Sequence, residues 1–547
     1  MTEKFDMVAK TFQGLEGVLA DELRALGADD VTQGRRMVAF TGDNAMLYRA
    51  NFCCRTALRV LKPFFKFRSN SADDLYEQVK DYDWSTIMDV KTTFAIDVTT
   101  FGDEFSHSRF VTYRVKDAIV DHFMETEGKR PSIRVSNPDI LLDVHINGDQ
   151  VTLSLDSSGD PLYKRGWRVA QTDAPINEVL AAGIIRLSGW DGQTDLIDPM
   201  CGSGTFLVEA ALIAANINPG VFRKEYAFQH WKDYDADLFA EIYNDDSQER
   251  EFTHKIYGYD IAHQAIAIAQ ANVKSAGVGK MVALQQRDIA DWTEAEPGGT
   301  IITNPPYGAR LRVGDMEQLY TTLGSKFKNV FRGYNVWVIG YLQEHFDWIG
   351  LKPSVRYPLL NGELECELRQ YVIFDGSYNQ MRARGEDVKN EDFRASERNL
   401  QRREFTEMRS DGRGPREPHE PREHRDFERR PPRTRDNRDH DGERREFRPR
   451  PPRDGERRDF ERRPPRSREE RDGERRDFER RPPRSREERE GEPRPPRRPF
   501  YEGGPRLGSD KEVPIIHGRR KSWKRRDLDD PQPGSTPDST PDNDNKD

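Results

Sequence analysis

Two strings in this chain carry residue types whose spacing could do chemistry. The first is "DLIDPMCGSGTFLVEAA", residues 195 to 211. An apolar run ends in Asp198, two glycines follow at Gly202 and Gly204, and Thr205 opens a helical pattern. Glycines let backbone approach a ligand closely, and ligands of open α/β sheets bind at the carboxyl ends of the strands. No Lys follows the glycines, so the string is not a phosphate-binding P-loop. It reads as the seat of a nucleoside-type cofactor, although a lone Gly-x-Gly also serves as a plain strand-to-helix turn. The second string is "IITNPPYGAR", residues 301 to 310. Proline cannot donate to a sheet ladder, and each residue before a proline is pushed toward extended geometry. Asn304-Pro305-Pro306-Tyr307 is therefore a rigid platform at a strand end. The Asn304 side-chain oxygen and the Pro305 carbonyl offer two acceptors, and Tyr307 offers a flat face. An exocyclic amine of a base offers two donors. Such a site holds an amine, flipped out of its stack, toward an electrophile. No Ser/His/Asp triad or metal-ligand cluster accompanies it, and an amine that needs only orientation toward a methyl sulfonium requires neither.

Two further carboxylates close strand-like runs. Asp260 ends "YGYD" and Asp288 lies in "RDIADW". Asp260 is placed to take ribose hydroxyls, as an acidic residue after the second strand does in nucleotide folds, or to cap the helix that follows. Asp288 could accept from an adenine amine or serve as another cap.

These residues need a parallel sheet to bring them together. From 158 to about 378, continuous apolar runs alternate with helical patterns: "TDLIDPM", "KIYGYDI", "MVALQQRD", "TIITNPP" and "YNVWVIGYL". That pattern describes a sheet covered on both faces. "SVRYPLLNG" and "LECELRQYVIF" read as an antiparallel hairpin closing it. The long interval between Asp198 and Asp260 holds a polar, aromatic insertion, roughly 218 to 252. Upstream, residues 1–60 and 61–157 read as two small α+β modules. "LRVLKPFFKF" reads as an edge or bulged strand because of Pro63. A hairpin is expected at Asn147-Gly148. In "SRFVTYRVKDAIVDHF", Val111, Val115, Ala118, Ile119 and Phe123 share an inward helix face, which leaves Arg109, Arg114 and Lys116 as candidate phosphate contacts or a solvated face.

The 547 residues carry a net charge of −9, unevenly spread. Residues 401–547 hold 43 Lys+Arg against 37 Asp+Glu, about +6, so the body is near −15. "DGERRDFERRPPRSREER" occurs at 454–471 and again at 472–489. Such a sequence is too charged and proline-rich to bury a core, so 379–547 is expected to be a disordered tail. Its densest basic patch, "HGRRKSWKRRDL", includes Trp523, which could stack on a base. Four cysteines without a C-x-x-C pair, an amino terminus without an apolar signal core, and no membrane-length apolar run suggest a cytoplasmic protein.

Together, "DPMCGSGT" and "NPPYG" closely resemble the class I S-adenosyl-L-methionine-dependent amino-methyltransferases. In closer detail, "RVKDAIVDHF", "PLYKRGWR" (161–168) and "DAPINEVLAAGII" (173–185) make residues 1–378 similar to the bacterial THUMP-domain ribosomal RNA guanine-N2 methyltransferases. The resemblance implies a Rossmann-like seven-stranded sheet preceded by ferredoxin-like and THUMP modules. It implies that Pro175, Asn177 and Glu178 border the methionine end of S-adenosyl-L-methionine, that Asp198, Gly202 and Gly204 line its methionine and ribose, and that Asp260 and Asp288 take ribose and adenine. Asn304, Pro305, Pro306 and Tyr307 are then expected to hold the target amine. The partner implied is 23S ribosomal RNA in a large-subunit assembly intermediate. Because the Asn-Pro-Pro-Tyr platform presents either amine, adenine-N6 methylation of RNA or DNA is the alternative enzyme. A catalytically silent RNA-binding assembly factor is the alternative outside enzymology.

Overall fold

A computed structural model describes residues 3–102, 104–295, 298–306, 313–362 and 364–373. Two sheets organise them. The first module contributes β1 (Phe5–Lys10), α1 (Glu16–Ala25), β2 (Asp29–Gly34), β3 (Met37–Gly42), α2 (Asn44–Cys53) and β4 (Arg59–Arg68). The second adds α3 (Ala72–Asp81), β5 (Thr93–Phe101), α4 (Ser108–Thr126), β6 (Ser132–Ile133), β7 (Ile140–Asn147) and β8 (Gln150–Asp156). Their strands form one eight-stranded sheet in the order β2-β3-β1-β4-β8-β7-β5-β6. β4 is the shared element. It pairs with β1 over Arg59–Leu61 and with β8 over Leu61–Arg68. Pro63 therefore marks no edge: β4 is central, and the missing amide hydrogen is accommodated by a register shift between Pro63 and Phe65. The β7–β8 hairpin turns at Gly148, in the left-handed region at φ 61°. On α4 the five apolar residues read from the sequence are buried.

The second sheet follows. Its elements are α5 (Glu178–Leu187), β9 (Leu196–Asp198), α6 (Thr205–Ala214), α7 (Ala236–Asn244), β10 (Ile256–Asp260), α8 (His263–Ser275), β11 (Val282–Gln286), β12 (Gly299–Thr303), α9 (Val313–Asn329), β13 (Tyr334–Gly340), α10 (Gln343–Ile349), β14 (Val355–Asn361) and β15 (Leu364–Val372). The order is β11-β10-β9-β12-β13-β15-β14. The first five strands are parallel, and β15 enters antiparallel between β13 and β14. This is the α/β, seven-stranded arrangement with a closing hairpin that the sequence implies.

The insertion between β9 and β10 does more than lengthen a loop. Phe228 stacks on Tyr48 of α2 at 4.5 Å, and Phe239 of α7 meets Tyr48 edge-on at 5.7 Å. Tyr226, Phe228, Trp231, Phe239 and Ile242 belong to the apolar core of the amino-terminal modules. A buried ionic joint lies beside them. The Arg165 guanidinium, 2% exposed, faces the Glu209 carboxylate of α6, 0% exposed, at 3.4 Å, and donates to the Arg55 carbonyl. Arg55 in turn donates to the Ile217 carbonyl at 2.8 Å. Burial pushes the Glu209 carboxyl upward, with Arg165 opposing that rise. Removing one partner of a buried pair leaves the other charge uncompensated, at about 3–5 kcal/mol. Arg165→Ala is expected to lower the melting temperature by several degrees, as read by circular dichroism, whereas Lys164→Ala, whose partner Asp160 is exposed, is expected to leave it unchanged.

Candidate active site

The strand order places the sequence-identified residues along one sheet edge. β9 ends at Asp198, β10 at Asp260, β11 two residues before Asp288, and β12 one residue before Asn304. Between β9 and α6 the chain makes a tight turn in which Gly202 (φ 52°) and Gly204 (φ 78°) are left-handed. Gly204 is also the amino-terminal cap of α6, and a Cβ there would sit 3.1 Å from that of Ala269. The Gly202 amide donates to Asp260 Oδ2 at 3.0 Å, and the Cys201 amide donates to the Tyr259 carbonyl at 2.8 Å. The turn is thus fastened to the end of β10.

Asp260 does not cap α8. That helix has Ala262 at its cap, and Asp260 Oδ1 accepts from the Ala262 amide at 2.9 Å. Each of its oxygens keeps a further lone pair for a ligand. Asp288 caps the short 3-10 turn Ile289–Asp291 through the Ala290 amide at 2.9 Å. Asp198 is 1% exposed and sits beneath the turn, accepting from the Met200 amide at 3.2 Å. It shapes the turn from below rather than lining its surface. Burial is the main cause that pushes its carboxyl up to about 7; the Met200 amide and the Thr303 hydroxyl oppose the rise, and the Asp260 charge adds to it.

At the end of β12, Asn304 is half-buried, yet its Oδ1 is covered and has no hydrogen-bond partner among the described residues. A buried acceptor left unpaired costs about 1–3 kcal/mol, so this atom has acceptor capacity that no described residue uses. Pro305 is buried and Pro306 half-buried beside it. Tyr307 lies outside the described residues. No group of three or more His, Cys, Asp or Glu that could hold a metal occurs among the described residues.

Residues 167–177 run as a strap across the glycine turn. Thr172 Oγ1 lies 3.7 Å from where a Gly202 Cβ would be. Asn177 caps α5, accepting from the Val179 amide at 2.9 Å. Glu178, 6% exposed, accepts from Arg168 Nε at 2.6 Å. Arg168 also donates to Ser203 Oγ at 3.0 Å and Thr205 Oγ1 at 2.9 Å. Asn177 and Glu178 thereby hold the strap in place. Arg168 and Asn272 were not singled out in the sequence. Arg168 lies inside "PLYKRGWR", and its basic character beside two glycine-turn hydroxyls was the only available signal.

On its outer side the strap borders a cleft of about 1620 Å³, lined by Arg109, Tyr113 and Lys116 of α4, by Val135, and by Lys164 and Pro175. Arg114 is not brought into it. Its guanidinium packs over Tyr76 at 4.3 Å, donates to the Ala72 carbonyl at 3.1 Å and pairs with Asp73, which ties α4 to α3. Lys116 is shared with Asp117 at 2.5 Å.

This geometry can be set beside known proteins. Three family models match in succession: an "RlmL ferredoxin-like domain" at 6–61, a "THUMP domain" at 69–156, and an "RMKL-like, methyltransferase domain" at 165–370. The Synechocystis sp. protein slr0064 is 37% identical over 371 residues, 67% of this chain and 96% of its own length. The chain belongs to the RMKL-like family of S-adenosylmethionine-dependent methyltransferases that carry a THUMP domain. Ribosomal RNA large subunit methyltransferase K/L of Syntrophotalea carbinolica is 39% identical over 374 residues, 66% of this chain and 52% of its own. The chain therefore spans about half the length of the K/L relatives it matches. Among solved structures, SMU.472 bound to S-adenosylhomocysteine covers 69% of this chain and 100% of its own, with 28% identity and a TM-score of 0.62. The family's cofactor fits these residues: Gly202, with only Thr172 Oγ1 near, leaves open backbone, and Asp260 and Asn304 retain acceptor capacity. Among the described residues no helix is long and apolar enough to cross a membrane.

Asp198 gives a pH test. An Asp whose folded pKa is raised stabilises the fold fully below about 3.8, and that contribution is lost as pH rises through about 7. Asp198→Asn keeps an acceptor for the Met200 amide. The variant is expected to gain stability relative to the parent between pH 5 and 8, measured by urea midpoints across that range.

Proposed function

We propose that this chain is an S-adenosylmethionine-dependent methyltransferase that modifies the exocyclic N2 of a guanine in 23S ribosomal RNA, acting on a large-subunit assembly intermediate. The observation that carries the reading is the covered, unpartnered Oδ1 of Asn304 at the end of β12, beside the glycine turn of β9. The cofactor supplies an electrophilic methyl group. Asp260, Gly202 and Gly204 would hold its ribose side and Asp288 its adenine. Pro175, Asn177 and Glu178 set the strap that borders its methionine end, and Asp198 supports the turn from beneath. Asn304 accepts one hydrogen of the target amine, with the Pro305 carbonyl for the second. Fixing both hydrogens turns the nitrogen lone pair toward the methyl donor, and orientation alone can supply several kcal/mol of the barrier (about 7–11 at best). Pro306 keeps the platform rigid, and Tyr307 offers a stacking face.

RNA is favoured by the THUMP match and by the names of the K/L relatives. The cleft supports the same reading, since it joins Arg109 and Lys116 to the exposed ring of Tyr113, 55% accessible. Aromatic faces and cations together suit unpaired RNA. Guanine N2 is supported by the match of residues 6–61 to the ferredoxin-like domain named for RlmL.

Asn304→Ala is expected to lower methyl incorporation into ribosomal RNA at least about 100-fold, while the calorimetric affinity for S-adenosylhomocysteine changes less than about threefold. Equal loss of both would refute the role assigned to Asn304. Arg109→Ala is expected to weaken RNA binding severalfold and to reduce the salt slope by about one. Arg114→Ala is expected to lower the melting temperature instead.

A further inference from the structure

α8 carries a polar side chain where its neighbours are apolar. Ala265, Ile266, Ala269 and Val273 face the core, and so does Asn272, 0% exposed. Asparagine is a modest helix former, and a buried amide is costly unless every polar atom is paired. Here each is paired. Asn272 Oδ1 accepts from the Val169 amide at 2.9 Å and the Ala170 amide at 3.2 Å. Its Nδ2 donates to the Ala170 carbonyl at 2.8 Å and to the Ser203 carbonyl at 2.9 Å. One side chain thus ties the strap to the glycine turn with its full complement of donors and acceptors.

The strap needs such a tie. It has no sheet or helix of its own between Trp167 and Asn177, Val169 is 63% exposed, and Ala174 is held left-handed at φ 47°. A non-glycine residue avoids that region unless its surroundings impose it. The strap is also a shared wall. Arg168, Gln171, Pro175 and Asn177 line the large cleft, while Thr172 abuts Gly202 on the other side.

We infer that Asn272 is a positioning residue: by clamping the 167–177 strap to the Gly202–Gly204 turn, it presets the cofactor seat and links occupancy of that seat to occupancy of the RNA cleft. Linkage of this kind is reciprocal. The clamp acts through Val169, Ala170 and Ser203, and Asn272 itself touches neither ligand. The RNA half of the inference rests on the function proposed above; the cofactor half does not.

The full-length chain tests it by calorimetric titration with S-adenosylhomocysteine, alongside Asn272→Ala and Asn272→Asp, well below their melting temperatures. Asp keeps both amide acceptors and loses both donations. Asn272→Ala is expected to weaken binding at least about tenfold, with Asn272→Asp intermediate, and to raise the KM for S-adenosylmethionine more than it lowers kcat. A lower melting temperature with unchanged affinity would show a purely structural role and overturn the inference. Hydrogen exchange on the unmutated protein decides the matter if the variants fail to fold. Slow exchange at the Val169 and Ala170 amides that slows further with S-adenosylhomocysteine supports the clamp; fast exchange indifferent to it refutes the clamp. For the RNA arm, a ribosomal RNA fragment is titrated with and without S-adenosylhomocysteine. Its affinity is expected to differ at least about threefold in the parent and to converge in Asn272→Ala. Indifference in the parent overturns the linkage. Failure of the parent to bind RNA at all counts against the proposed function and leaves the cofactor titration to judge the clamp.

Discussion

The hydrogen bond from the Gly202 amide to the Asp260 carboxylate is the contact on which the site depends. It joins the turn after β9 to the end of β10, so that two parallel strands present one surface instead of two loose loops. Charge-assisted bonds from backbone amides are among the stronger ones a protein makes. The turn in turn anchors the strap, through Ser203 to Arg168 and Asn272, and it opens α6, whose Glu209 closes the ionic joint to the amino-terminal modules. Shifting Gly202 would therefore disturb the glycine turn, the strap and the domain joint together.

The amino-terminal modules are built into this arrangement rather than tethered to it. β4 runs through both as a shared strand, and the insertion between β9 and β10 buries its aromatic residues in their core. The large cleft is lined by residues of α4 and of the strap.

Much of this was legible in the sequence because it rests on local signals. Continuous apolar runs gave the parallel strands that end at or beside Asp198, Asp260 and Asn304, and the Asn-Pro-Pro string marked where β12 stops. Three features were legible only in part or not at all. Pro63 pointed to an edge or bulged strand; the bulge is there, but β4 is central, because it pairs with both β1 and β8, the latter distant in sequence. Arg114 looked like its neighbours Arg109 and Lys116, and only the position of α3, with Tyr76 and Asp73, shows that it faces inward. Asn272 is one residue in an alanine-rich helix, and its significance appears only when the irregular strap is seen lying across it. Periodicity reports which face of an element is apolar; it does not report which distant backbone needs a partner.

The central claim is that the acceptor at the end of β12 orients a guanine amine of ribosomal RNA for methylation. The most direct measurement is nucleoside mass spectrometry on ribosomal RNA from cells lacking this gene, compared with the parent strain. The account predicts loss of one N2-methylguanosine from large-subunit RNA, with other modified nucleosides unchanged. An intact guanine profile, with N6-methyladenosine lost instead or with no nucleoside lost at all, would contradict it.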